Sequence, residues 1–277
     1  MVCDCCPLTI GVVTLIAAYV IYRLVIKQKP AAPEILKKDF EKDKVYLYEF
    51  PNLKTCRNLS PFCVKLETIF RAYNIPYEII HTATGRSRNG TLPFIELNGE
   101  HIVDSDLIEM RIRKHFKIPE LSKIEEAQSV AISRMADNHL FYVTLRYKSA
   151  VPEFFSTILS ILKIPVFIQP PFHFVLSRFM GHKIKQSISL VIGYFTDAEH
   201  EEILHRDLKT IENLLGNKKF LFGDKVTCAD ATVFGQLSSV YHPFDNYFRQ
   251  VIDKDYPRLK KYMEDVIEQV YPNDFKM

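Results

Sequence analysis

Turn and breaker residues between positions 45 and 116 cut the chain into segments whose order admits few topologies. The run Val45-Tyr46-Leu47-Tyr48-Glu49-Phe50 is short, apolar and rich in β-formers, which predicts a buried strand. After a polar loop comes Ser60-Pro61. Ser is a good N-cap, and Pro suits a helix's first turn because an N–H there would have no intrahelical partner. Val64, Leu66, Ile69, Phe70 and Tyr73 then fall at helical spacing. Asn74-Ile75-Pro76 ends that helix and Tyr77-Glu78-Ile79-Ile80 returns as a strand. A strand–helix–strand unit of this length is a right-handed parallel crossover. Pro93 precedes a third strand, Asn98-Gly99 marks a hairpin, and His101-Ile102-Val103 is the returning strand. Asp104, Ser105 and Asp106 are each candidate caps for a helix over residues 107–115.

Beyond Phe116 the patterns are helical. Ser122 with Glu125 forms a capping box opening a long helix through Ile124, Ala127, Ala131, Met135, Leu140, Val143 and Leu145. Residues 154–162 continue as helix before Pro165, Pro170 and Pro171 interrupt. Residues 172–192, aromatic at one end and basic at Lys183 and Lys185, read as a helical insertion, with a membrane-facing patch as the alternative. Thr196 with Glu199 is a second box, opening a helix that stops at Gly216. Thr227 with Asp230 is a third, with Val226 and Ala231 placed as a hydrophobic staple.

Residues 8–26 are apolar apart from Arg23. As a helix they would span roughly 28 Å, close to a bilayer's hydrocarbon thickness. Arg23 can snorkel, and Tyr19 and Tyr22 suit an interface. A cleaved signal peptide, against which the lack of a preceding Lys or Arg and of a small-x-small site speaks, and a buried soluble helix are the rival readings. Lys27, Lys29, Lys37 and Lys38 follow the run and nothing basic precedes it, which places the body in the cytosol. The sequons at Asn58 and Asn89 are then chance matches. The membrane is expected to be an internal one: lysosome, endoplasmic reticulum and mitochondrial outer membrane all fit. Cys3, Cys5 and Cys6 ahead of the run suit acylation, a soft metal ion, or free thiols. Residues 28–44 read as a solvated tether with a short helix over 34–40.

The net charge of +3 is spread along the chain, so there is no concentrated basic face for nucleic acid. Six cysteines in 277 residues do not make a disulfide framework. No phosphate loop or nucleophile elbow occurs, and the histidines show no metal-ligand spacing.

The order β-α-β, β-hairpin, α resembles the thioredoxin-like domain of the glutathione-transferase superfamily. Ser60-Pro61-Phe62-Cys63, Thr91-Leu92-Pro93-Phe94 and Asp104-Ser105 carry the likeness there. Phe222-Gly223-Asp224 before Thr227, and Tyr256-Pro257-Arg258-Leu259, resemble that superfamily's helical domain. The resemblance implies an α/β plus all-α fold, and the apolar run 8–26 adds one transmembrane helix ahead of it. Its parts are tail and anchor at 1–27, linker at 28–44, thioredoxin-like domain at 45–118 and helical domain at 119–277. It implies glutathione as ligand, Ser60 facing the sulfur (Cys63, one turn on, is the weaker candidate) and Pro93 as a cis-proline beside the cysteinyl part. Asp104 and Ser105 would hold the γ-glutamyl end.

Within the superfamily, the runs 60–67 and 92–99 and the apolar N-terminal segment resemble the failed-axon-connections family, including nematode cadmium-responsive proteins, with metaxins more distant. That likeness implies a role in cadmium or other stress, or a non-catalytic interaction or import module on a membrane. A second copy or another protein stays open as partner. For Ser60 two readings stay open, thiol-holding hydroxyl and plain helix cap.

Overall fold

β1 (Val45–Glu49) is buried along its whole length and lies inside a four-stranded sheet of order β2-β1-β3-β4. The computed structural model describes residues 35–275 and, ahead of them, Gly11, Leu15 and Tyr19. β2 (Tyr77–His81) pairs parallel with β1, after the crossover through α1 (Pro61–Ala72). β3 (Phe94–Leu97) pairs antiparallel with β1, and β4 (Glu100–Val103) with β3 through the Asn98-Gly99 turn. Asn98 and Gly99 both take positive φ, as a tight two-residue hairpin requires. α2 (Ser105–His115) closes the unit. Side chains alternate across the sheet. Val45, Leu47, Ile95 and Leu97 pack toward α1 and α2, while Tyr46, Tyr48, Phe94 and Val103 form a second layer on the other face.

α1 departs from the amphipathic helix its spacing predicts. Pro61 and every residue from Cys63 to Phe70 is buried, polar ones included. The cause is α8 (Cys228–Tyr241), which is buried throughout and crosses it. A Cβ on Gly235 would lie 2.5 Å from the Pro61 carbonyl oxygen, so only glycine allows this approach. Polar side chains enclosed on α1 are consequently paired. Lys65 Nζ meets Asp106 at 2.7 Å, Asp137 at 2.8 Å and Glu109 at 3.4 Å. Arg57 and Arg71 both pair with Glu67, at 2.6 Å and 3.0 Å.

The remaining elements are helical. α3 (Lys123–Met135) passes through a π-turn (Ala136–Leu140) into α4 (Phe141–Ala150), followed by α5 (Pro152–Ile161) and the 24-residue α6 (Gln169–Ile192). Pro170 and Pro171 do not interrupt helix here. They lie in the first turn of α6, where no N–H is needed. α7 (Asp197–Leu215), α9 (Tyr247–Asp255) and α10 (Pro257–Val270) complete the fold with α8. All three capping boxes form. Val226 packs with the helical core and Ala231 with the sheet-side core.

The expected helix over 34–40 is not formed across the described part, residues 35–40. That stretch is instead tied to the sheet. The N–H groups of Leu36 and Lys37 donate to the buried Glu96 carboxylate at 2.8 and 2.9 Å, and the Tyr48 hydroxyl donates to the same group at 3.0 Å. The apolar run 8–26, apart from Gly11, Leu15 and Tyr19, and the cysteines at 3, 5 and 6 lie outside the described residues. Among the described residues no helix is long and apolar enough to cross a membrane.

Candidate functional site

Strand register brings the residues singled out in the sequence to one end of the sheet. Tyr48 faces Phe94 and Phe94 faces Val103, so the chain leaving β1, the Pro93 entry to β3 and the Asp104 exit from β4 share an edge. α1 starts at that edge. The Leu92–Pro93 peptide is cis.

Ser60 occupies the N-cap position of α1 with φ −87° and ψ 122°, yet its side chain makes no capping hydrogen bond. Its hydroxyl lies instead by the Cys63 thiol, one turn on. The turn is held by Asn58, which is 1% exposed. Asn58 Nδ2 donates to the Phe50 carbonyl at 2.7 Å, and Oδ1 accepts the Ser60 N–H at 3.0 Å. This enclosure also disposes of the first sequon, since a buried amide bonded through both its atoms carries no glycan in the fold.

Cys63 is fully buried one turn into α1. Burial pushes its thiol well above the ordinary range, Glu49 adds to that, and the Ser60 hydroxyl and Phe50 backbone pull the other way. A thiol so placed is not a nucleophile at neutral pH. Cys56 is likewise buried, its thiol pushed up to about 11 by burial against the opposing field of Lys148. Glu49 sits among these groups with neither carboxyl oxygen hydrogen bonded. Burial, then repulsion from Glu67, raise it well above the usual carboxylate range, against the opposing fields of Arg57 and Arg71.

Ser60 lines a cavity of about 390 Å³. Leu145 of α4, Phe154 and Leu159 of α5, and Phe172 and Leu176 of α6 form its apolar walls. The insertion expected over 172–192 thus encloses a pocket. Two cations reach its lining. Lys148, only 4% exposed, donates to the Leu59 carbonyl, one residue before Ser60. Burial pulls its ammonium down to about 8, against the fields of Cys56 and Cys63. Arg86 lies over the Phe50 ring at 5.5 Å and donates to the carbonyls of Ala83 and Gly85 at 3.1 and 2.6 Å.

Asp104 caps α2. Its carboxylate accepts the N–H groups of Asp106 at 3.1 Å and Leu107 at 3.3 Å, with φ at 71°. Ser105 is the first residue of that helix. A helix start with a free donor row favours an anion, but here the cap already occupies two of the donors.

The sequence profile of the glutathione S-transferase N-terminal domain matches residues 61–154, and that of the C-terminal domain matches residues 204–266. Failed axon connections of Drosophila melanogaster is 32% identical over 221 residues, 74% of this chain and 52% of that protein. A metaxin-1 homolog of Caenorhabditis briggsae is 26% identical over 200 residues, 69% of this chain and 62% of that protein. The chain belongs to a metaxin-related, glutathione-transferase-like family. It spans about half the length of failed axon connections. A glutathione transferase structure from Phanerochaete chrysosporium superposes with a TM-score of 0.54 at 15% identity, covering 83% of this chain and 98% of that one, which shows the shared fold.

Within this glutathione-transferase-like frame, sequence reasoning reached Ser60, Pro93, Asp104 and Ser105 but missed Asn58, Lys148 and Arg86. Asn58 carried a usable signal, an Asn two residues before an N-cap in a tight loop. Lys148 carried none. Its burial depends on how α5 and α6 fold back over α4.

Proposed function

We propose that the chain is a membrane-anchored, glutathione-transferase-like protein of the stress response, acting in cadmium detoxification through a glutathione-type site at Ser60. The Ser60 hydroxyl would donate to the glutathione sulfur and hold it as thiolate at the start of α1, where the helix dipole favours negative charge. A neutral hydroxyl takes no proton from the thiol, so the dipole and the nearby ammonium of Lys148 supply the rest of the acidification. The thiolate then attacks an electrophile held in the apolar pocket, or itself ligates cadmium. The observation that carries this reading is the Ser60 side chain at the start of α1, making no capping hydrogen bond and lining that pocket. Pro93 and Asp104 at the same sheet edge agree with it. The apolar run at 8–26 and the basic residues after it support an N-terminal anchor in an internal membrane with the body cytosolic.

The test is calorimetric titration of glutathione into the full chain and its Ser60→Ala variant. Saturable binding weakened about tenfold or more by Ser60→Ala supports the reading, that being the loss of one hydrogen bond to a charged sulfur. No saturable binding overturns it.

A second reading, a non-catalytic tethered interaction or transport module of metaxin type, is favoured by one observation. Asp104 Oδ1 accepts two N–H groups of its own helix start, the donors that would otherwise face a γ-glutamyl carboxylate. Resistance of the chain to alkaline extraction from membranes tests the anchor that both readings share, and a glycan on the body would overturn its cytosolic placement.

A further inference from the structure

The pocket beside Ser60 combines features that a site for neutral hydrocarbons would not. Its lining holds two cations, Lys148 and Arg86, and no Asp or Glu. Among the described residues neither cation takes part in an ion pair. Their only hydrogen-bond partners there are backbone carbonyls, those of Leu59 for Lys148 and of Ala83 and Gly85 for Arg86. An ammonium has three donors, and Lys148 uses one of them. Holding such a group in apolar surroundings is costly unless a counter-charge joins it. The contrast with the rest of the chain is sharp. Lys65, equally buried, is ringed by Asp106, Asp137 and Glu109.

We propose that this pocket binds an amphipathic carboxylate, the anion on Lys148 Nζ with Arg86 beside it, and the apolar body against Phe154, Leu159, Phe172 and Leu176. At about 390 Å³ the cavity falls within the range of small-molecule sites, ~300–1,000 Å³. Glutathione itself does not suit these walls, because its charged ends would face side chains such as Leu159 and Leu176. A neutral chain of the same shape would leave the ammonium unpaired. The proposal deepens the Ser60 reading by giving the class of the second ligand, an acid on an apolar body. It does not require glutathione to be bound.

The experiment uses the full chain without glutathione and a naturally fluorescent polyene fatty acid, whose emission rises in apolar surroundings, with its methyl ester as control. The acid is expected to bind saturably and at least about tenfold tighter than the ester, the worth of one charge-assisted pair. Lys148→Met should bring the acid down to the ester's affinity while leaving ester binding in place. Equal binding of acid and ester by the unaltered chain overturns the proposal, as does an unchanged acid affinity in a folded Lys148→Met protein. Should that variant not fold, the acid-to-ester ratio on the unaltered chain decides alone. If glutathione titration fails but the acid preference holds, the Ser60 reading falls and this one stands.

Discussion

Asn58 Oδ1 accepts the Ser60 N–H at 3.0 Å, and the same side chain reaches back to the Phe50 carbonyl at 2.7 Å. The end of β1 and the start of α1 are thus fixed to one another through a single amide. Asn58→Ala would leave the Phe50 carbonyl and the Ser60 N–H without their partner in a closed environment. We expect a loss of about 1–3 kcal/mol in urea unfolding. Glutathione affinity should fall with it, and Asn58→Asp, which keeps the acceptor, should fall between the two.

Glu49 gives a pH dependence whose sign is fixed. Its folded pKa is raised above the ordinary value near 4.5, by burial first and by Glu67 second. The fold therefore keeps a proton that the unfolded chain has released, so stability is full below about pH 4.5 and declines as pH rises toward the folded pKa. Glu49→Gln removes that slope. Its urea midpoint should exceed that of the unaltered chain at pH 7 and match it near pH 4. A constant difference across that range would contradict a buried neutral acid.

Lys65 and Arg134 both pair with Asp106, but in different surroundings. The Lys65 side chain is 1% exposed and the Arg134 side chain 58%. Lys65→Met would take the shared ammonium from Asp137 and Glu109, leaving Asp106 with Arg134 alone and Asp137 with only the Gln236 amide, at a cost of about 3–5 kcal/mol. Arg134→Met, at a screened surface pair, should cost under about 1 kcal/mol. Denaturant titration of the two variants separates them.

Cys56, Cys63 and Cys228 are all buried and free, and burial raises each thiol above its ordinary range. Iodoacetamide at pH 7.5 should leave all three unmodified in the folded chain and label them in denaturant, as mapped by mass spectrometry. Rapid labelling of native Cys63 would restore the thiol to candidacy as a nucleophile.

The order of strands and helices was legible because each boundary is a local event. Ser60-Pro61, Asn98-Gly99 and the Thr227–Asp230 box act through their own backbone and needed no tertiary knowledge. The same locality explains where sequence reasoning went astray. Pro170 and Pro171 signal a break, and only the position of the helix start shows that they begin one. Nothing near Glu96 announces that it receives the backbone of Leu36 and Lys37, sixty and fifty-nine residues away. Lys65 and Lys148 look like surface lysines until α8 covers one and α5 and α6 enclose the other. The part of the site that specifies charge was invisible for that reason, while the part that specifies a hydroxyl at a helix start was plain.

The bare backbone of Gly235 against Pro61 has a consequence for how such chains can be recombined. Val64 from the sheet half packs in the helical core, and Cys228 and Ala231 from the helical half pack beneath the sheet. The seam between the halves is therefore interleaved, with a glycine at its tightest point. A chimera that joined the sheet half of one family member to the helical half of another would have to take α1 and α8 from the same parent, although they stand far apart in sequence.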